Sequence, residues 1–203
     1  MEDSDRRRLG AVLDFAMEAH GDQTRRGVET PYASHLLQVA GLVMEAGGDF
    51  TQTAAGLLHD TLEDCDHVDA ATLVDRFGPE VAALVEALSD LRPGDTAAHK
   101  SSWAERKTHY LRRLESADPR AHLVCACDKL HNLRSLVCDL RAFGPDTLER
   151  FNASPEEIRW YYESLHRVVR DALPDPLALD FDLALEALAE FVPRSRRPDE
   201  PAP

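Results

Sequence analysis

The segment His59-Asp60-Thr61-Leu62-Glu63-Asp64 puts one imidazole and three carboxylates on little more than one helical turn. The run before it, Thr53 to Leu58, is small and apolar and reads as a buried helix, so the polar burst stands at the end of a core element. Charge in such a place needs a partner or a metal ion. On a helix advancing roughly 100° per residue, positions three and four apart share a face. Glu63 is four residues from His59 and three from Asp60, and Asp64 is four from Asp60. His59 and Asp60 diverge in direction, yet a long imidazole and a short carboxylate can converge on an ion lying between them. The expected arrangement is two ligands and, one turn on, two further carboxylates.

One helix cannot enclose an ion, and hard or borderline divalent ions take carboxylate oxygen and imidazole nitrogen. Two further donors stand out. His35 begins a helix directly after the irregular segment 20–33, and Asp128 interrupts a mainly apolar helical run, Val124 to Arg134. An aspartate in such a run needs either a metal or an ion pair, for which Lys129 and Arg134 are the local candidates.

The elements that must position these groups are helical. Leu9, Val12, Leu13, Ala16 and Met17 form one apolar stripe, and Leu36, Leu37, Val39, Ala40, Val43 and Met44 another. Gly78-Pro79 ends one helix and opens the next, and Ser102 to Glu105 and Ser154 to Glu157 have the spacing of capping boxes. Helices are expected at about 5–19, 34–46, 50–64, 69–77, 79–91, 101–116, 119–141, 155–173 and 178–191, with 20–33 and 92–100 as functional loops. The fold class is all-α, a single bundle of about eight or nine helices over 1–192, followed by a disordered tail over 193–203.

A chain of 203 residues, 43% hydrophobic, suits one core. Cys65, Cys125, Cys127 and Cys138 show no paired CxxC spacing and read as reduced thiols. With its long apolar stretches broken by charge and no apolar leader, the chain is expected to be soluble and cytoplasmic, off the membrane. A net charge of −14 excludes a duplex nucleic-acid surface, which needs clustered Lys and Arg, but not a small phosphorylated substrate in a locally cationic pocket. Oligomeric state stays open.

The order His35, His59-Asp60, Asp128 resembles the HD superfamily of metal-dependent phosphohydrolases. The stretches from Ala55 to Asp64, Phe77 to Ala82, Glu105 to Lys107 and Asp128 to Arg134 resemble, more narrowly, the hydrolase domain of Rel/Spo alarmone enzymes, and the chain length is most similar to the stand-alone small alarmone hydrolases. The likeness runs from about Ala11 to about Val169. It implies one Mn²⁺ ion, with Fe²⁺ or another divalent ion as the alternative, held by His35, His59, Asp60 and Asp128, and Glu63 and Asp64 as the catalytic pair. The implied reaction is hydrolysis of the 3′-pyrophosphate of (p)ppGpp to GDP or GTP and pyrophosphate. The resemblance also implies substrate contacts from Arg25, whose planar cation suits stacking on a base, from Asn132 and from Tyr161, and matches Arg106 and Lys107 to a basic pair of the family.

The chain departs from the family pattern in having Leu36 where a proline usually follows the first histidine. Cys125 likewise stands where a lysine usually precedes the metal aspartate by three residues. Two other readings compete: an HD phosphohydrolase acting on another small nucleotide or NADPH, and a catalytically silent alarmone-binding module.

Overall fold

The computed structural model describes residues 3–92 and 101–193. Ten α-helices follow one another: α1 (Asp3–His20), α2 (Ala33–Glu45), α3 (Phe50–Leu58), α4 (Thr61–Asp64), α5 (Ala70–Phe77), α6 (Pro79–Leu88), α7 (Trp103–Glu115), α8 (Pro119–Phe143), α9 (Pro155–Val169) and α10 (Asp175–Phe191). Short 3₁₀ turns cover Pro145–Arg150 and Arg170–Ala172. Among the described residues, β pairing is confined to one bridge between Thr24 and Pro31. The expected loop 92–100 and the expected tail fall mostly outside the described residues.

Helix α3 is the central element. Every residue from Gln52 to Leu58 is buried, and α1, α2, α6 and α8 pack around it. Its small side chains permit that crowding: a Cβ added at Gly56 would lie 3.5 Å from the backbone of Ala40 on α2. The α2–α3 connection closes through Gly48, where a Cβ would meet Val43 at 2.4 Å. On the outside, α7 packs on α9, and α10 covers α8 and α9. Both predicted capping boxes form, at Ser102/Glu105 and Ser154/Glu157, and Gly78 turns with φ of 91° before the N1 proline.

The continuous helix expected over 50–64 is instead interrupted, which is why the described residues form ten helices rather than the expected nine. Asp60 sits at φ −97°, ψ −1°, in the bridge region between helix and strand. Thr61 Oγ1 donates to Leu58 O at 2.7 Å and His59 Nδ1 donates to Gly56 O at 2.9 Å, so side chains take carbonyls that a continuing helix would use. The helix expected to reach residue 91 stops at Leu88, leaving Asp90 in the extended segment beyond it.

Candidate metal centre and its cleft

The break after α3 changes where the side chains point. Instead of diverging, the His59 and Asp60 side chains meet, with Nε2 and Oδ2 2.7 Å apart. Helix α2 brings His35 Nε2 to 3.1 Å from His59 Nε2 and 3.7 Å from Asp60 Oδ2, and α8 brings Asp128 Oδ1 to 3.2 Å from His35 Nε2 and 3.6 Å from His59 Nε2. Edges of roughly 3 Å are what an octahedral ion with bonds near 2.1 Å requires. His35, His59 and Asp128 are buried and form a group able to hold a metal ion.

The tautomers suit the same role. Because His59 Nδ1 donates its hydrogen to Gly56 O, Nε2 is the nitrogen that faces the cluster. His35 Nδ1 lies 2.7 Å from His131 Nδ1, leaving its Nε2 inward as well. Electrostatics agree: burial alone would lower the His59 pKa, but the charges of Asp60 and Asp128 hold it well above its ordinary value. Burial raises Asp60 and Asp128, yet the facing imidazoles, with Lys129 at Asp128, pull both well below the carboxylate range. The donor set of two imidazoles and two ionised carboxylates therefore fits a divalent cation.

The two carboxylate oxygens of Asp128 face different partners. Its Oδ1 faces the imidazoles while Oδ2 accepts from Lys129 Nζ at 2.5 Å; Arg134 pairs with Asp180 instead. Asn132 Nδ2 donates to Asp128 Oδ1 at 2.6 Å, and Asn132 Oδ1 accepts from Arg25 Nη2 at 2.6 Å, so one amide ties the loop 20–33 to the cluster.

The cluster borders a cleft of about 1330 Å³, with Arg25, Asp64, Lys107, Lys129, Asn132 and Tyr161 in its wall. Tyr161 is 4% exposed, and its hydroxyl has no hydrogen-bond partner among the described residues. Asp64 is exposed at the end of α4, and its backbone carbonyl accepts from Gln23 Nε2 at 2.9 Å. Glu63 does not share Asp64's position: its Oε1 accepts from the backbone N–H of Asp90 at 2.6 Å. Burial first, then the charges of Asp90 and Asp60, push its carboxyl up to about 7 against the opposing pull of Lys107. The expected pair thus points two ways: Asp64 lines the cleft, while half-buried Glu63 turns to the backbone of Asp90.

Several contributors escaped the sequence reading. Tyr32 donates its hydroxyl to Asp60 Oδ2, and buried His20 stacks on Tyr32 with ring centroids 4.9 Å apart. His131 supports His35, and burial, with the charges of His35 and Arg25 adding to it, lowers it to about 4. Tyr32 and His131 each stand three residues from a candidate ligand, the one local signal that marked them. Cys125 is buried, accepts from Tyr110 Oη at 3.1 Å and is pushed up to about 11 by burial, as expected of a reduced thiol. Lys129, one turn further along α8, brings an ammonium to this region in a chain that has Cys125 in place of the family lysine.

An all-α bundle that joins His and Asp donors from α2, the α3–α4 junction and α8 beside an open cleft defines an HD-type protein. A family model described as "HD domain" matches residues 12–148, and the chain belongs to that family. Among curated relatives, a probable guanosine-3′,5′-bis(diphosphate) 3′-pyrophosphohydrolase of Synechocystis sp. is 35% identical over 147 residues, 71% of this chain and 18% of the relative. The GTP pyrophosphokinase rsh of Brucella ovis is 38% identical over 128 residues, 63% of this chain and 17% of the relative. This chain therefore spans less than a fifth of the length of these relatives. Among solved structures, a metazoan orthologue of SpoT, described as hydrolysing ppGpp and acting in starvation responses, superposes with a TM-score of 0.68 at 26% identity, covering 88% of this chain and 94% of that one. A Listeria monocytogenes EGD-e protein superposes with a TM-score of 0.64 at 27% identity, covering 77% of this chain and 97% of its own.

Proposed function

We propose that this chain is a Mn²⁺-dependent phosphohydrolase that removes the 3′-pyrophosphate of (p)ppGpp, releasing pyrophosphate and GDP or GTP in the cytoplasm. The observation that carries the reading is the convergence of His35, His59, Asp60 and Asp128 at a cleft whose wall gathers Arg25, Lys107 and Lys129, although the chain as a whole carries a net charge of −14. A cleft lined by six Lys or Arg side chains against four Asp or Glu, beside a divalent-ion site, suits a small, highly phosphorylated ligand. The relatives' activities point the same way, and no described helix is long and apolar enough to cross a membrane.

His35, His59, Asp60 and Asp128 are the residues we assign to the ion, which when bound supplies positive charge beside the phosphoryl group and acidifies water. Two imidazole nitrogens with two carboxylate oxygens favour Mn²⁺ or Fe²⁺ over a closed structural zinc site. Water oxygen bonds to the phosphorus on the ribose 3′-oxygen as the P–O3′ bond breaks; one water proton leaves toward a carboxylate, and the 3′-oxygen gains a proton. We assign that proton traffic to Glu63 and Asp64. Asp64 stands in the cleft wall, where it can orient the attacking water, and Glu63 titrates near neutral pH, where it can hold or release a proton. Arg25, held by Asn132 with its guanidinium 5.6 Å from the Tyr32 ring centroid, offers a flat cation to a base. The unpartnered Tyr161 hydroxyl offers a hydrogen bond to ligand oxygen.

Purified protein assayed with and without Mn²⁺ on ppGpp, pppGpp, NADPH and common nucleotides, with products identified, tests this. Pyrophosphate and GDP from ppGpp are expected. Orthophosphate released from NADPH or ordinary nucleotides instead would transfer the assignment to another HD phosphohydrolase activity. Binding of ppGpp without metal-dependent turnover would make the chain a silent alarmone-binding module.

A further inference from the structure

Beside the metal cluster the fold buries a second group of charges, which centres on Asp90. This residue lies just past the end of α6 and is 3% exposed. Its carboxylate accepts from Arg106 Nη1 at 2.5 and 2.6 Å and from Lys107 Nζ at 2.5 Å, while its backbone N–H donates to Glu63 Oε1. Lys107 is in turn 4.9 Å from the Tyr161 ring centroid and lines the cleft. Buried ion networks contribute little net stability relative to apolar packing. Stability alone therefore does not account for a buried carboxylate set between a cleft cation and Glu63.

We propose that Asp90 is a positioning residue: its carboxylate fixes the Lys107 ammonium at the cleft wall and its backbone N–H fixes Glu63, so one residue sets a cation and a proton-transfer group relative to each other. This rests on the phosphohydrolase reading of the cleft. The charges support it. Burial pushes Asp90 up, but Lys107, Arg106 and Lys129 outweigh it and hold the carboxyl at about 2, so it stays ionised and bound to both cations. Glu63 faces Asp90, Asp60 and Lys107, and the Asp90 charge is the largest electrostatic contribution to its raised value after burial.

A double-mutant cycle tests the proposal. Asp90→Asn keeps the backbone N–H and the side-chain size while removing the charge. It is expected to lower kcat on ppGpp about 10- to 100-fold with KM within about threefold, because the interaction is made through a positioned cation. Lys107→Met should lose a similar amount, and the double variant should be no more than about threefold worse than Lys107→Met. Losses that multiply would overturn the proposal. Amine-reactive labelling read by mass spectrometry should modify Lys107 severalfold faster in Asp90→Asn than in the wild type. If the wild type fails to turn over ppGpp, the cleft reading fails, and unchanged Lys107 labelling would then overturn the Asp90 assignment separately. Should Asp90→Asn not fold, Asp90→Glu keeps the charge but displaces it, and wild-type kcat in that variant would sink the proposal.

Discussion

The two buried charge groups of this molecule lie side by side and are balanced differently. Around Asp90, two carboxylates face two cations: Asp90 and Glu63 against Arg106 and Lys107. At the His59 cluster, Asp60 and Asp128 face imidazoles and one ammonium, Lys129. The first group is complete within the protein; the second carries negative charge that it does not itself cancel, so a neighbouring imidazole is driven toward its cationic form. Uncancelled carboxylate charge beside inward imidazole nitrogens, whose proton a metal ion would replace, suits a cation, whereas a balanced network fixes geometry.

That contrast breaks most sharply at Asp128. Asp128→Ala should abolish Mn²⁺ binding in calorimetry and lower turnover by roughly 10³-fold or more, beyond what loss of a single electrostatic donor costs; wild-type metal affinity in the variant would remove Asp128 from the cluster. Asp64→Ala should keep the metal and lose about 10²- to 10³-fold in kcat, the range of a positioned proton-transfer group. Tyr32→Phe deletes the hydrogen bond to Asp60 Oδ2 and should weaken Mn²⁺ binding about tenfold, as losses of outer-shell partners do; unchanged affinity would show that Asp60 orients without it.

The balanced group gives a pH signature instead. Glu63 has a folded-state value of about 7 against an ordinary 4.5, so its contribution to stability is fully present below about 4.5 and is lost as pH rises through about 7. In chelator-treated protein, Glu63→Gln should therefore melt a few degrees above the wild type at pH 8 and lose that advantage toward pH 5. A pH-independent difference would mean that Glu63 is not held against its charge. As a baseline outside both groups, Ser154→Ala removes the α9 cap bond to Glu157 N and should cost about 1 kcal/mol in denaturant unfolding, with kcat unchanged.

How far the sequence revealed these groups follows the range of the interactions that make them. Helix content, the capping boxes at Ser102 and Ser154 and the proline after Gly78 are local, and they formed where spacing placed them. From the residues alone only the polar burst His59-Asp60 after an apolar run and Asp128 within another were legible; His35, at a helix start after a loop, joined them through the family order. The break at Asp60 was not, because helical periodicity continues through it and the competing bonds from Thr61 and His59 are set by side-chain geometry. With that break, Glu63 left the face on which a continuous helix would have put it. Asp90 gave no local signal: its partners come from residues 16, 17 and 27 positions away, and only folding brings them together.

Helix α8 is more than a wall of the cleft. Asp128 at the cluster and Asp139 in the cleft lining stand eleven residues apart on one uninterrupted helix, a rise of roughly 16 Å at about 1.5 Å per residue. The helix thereby fixes the separation of the two carboxylates: Asp128 is held at the cluster, Asp139 is paired with Arg150 further along the cleft, and neither can shift along the axis without the other.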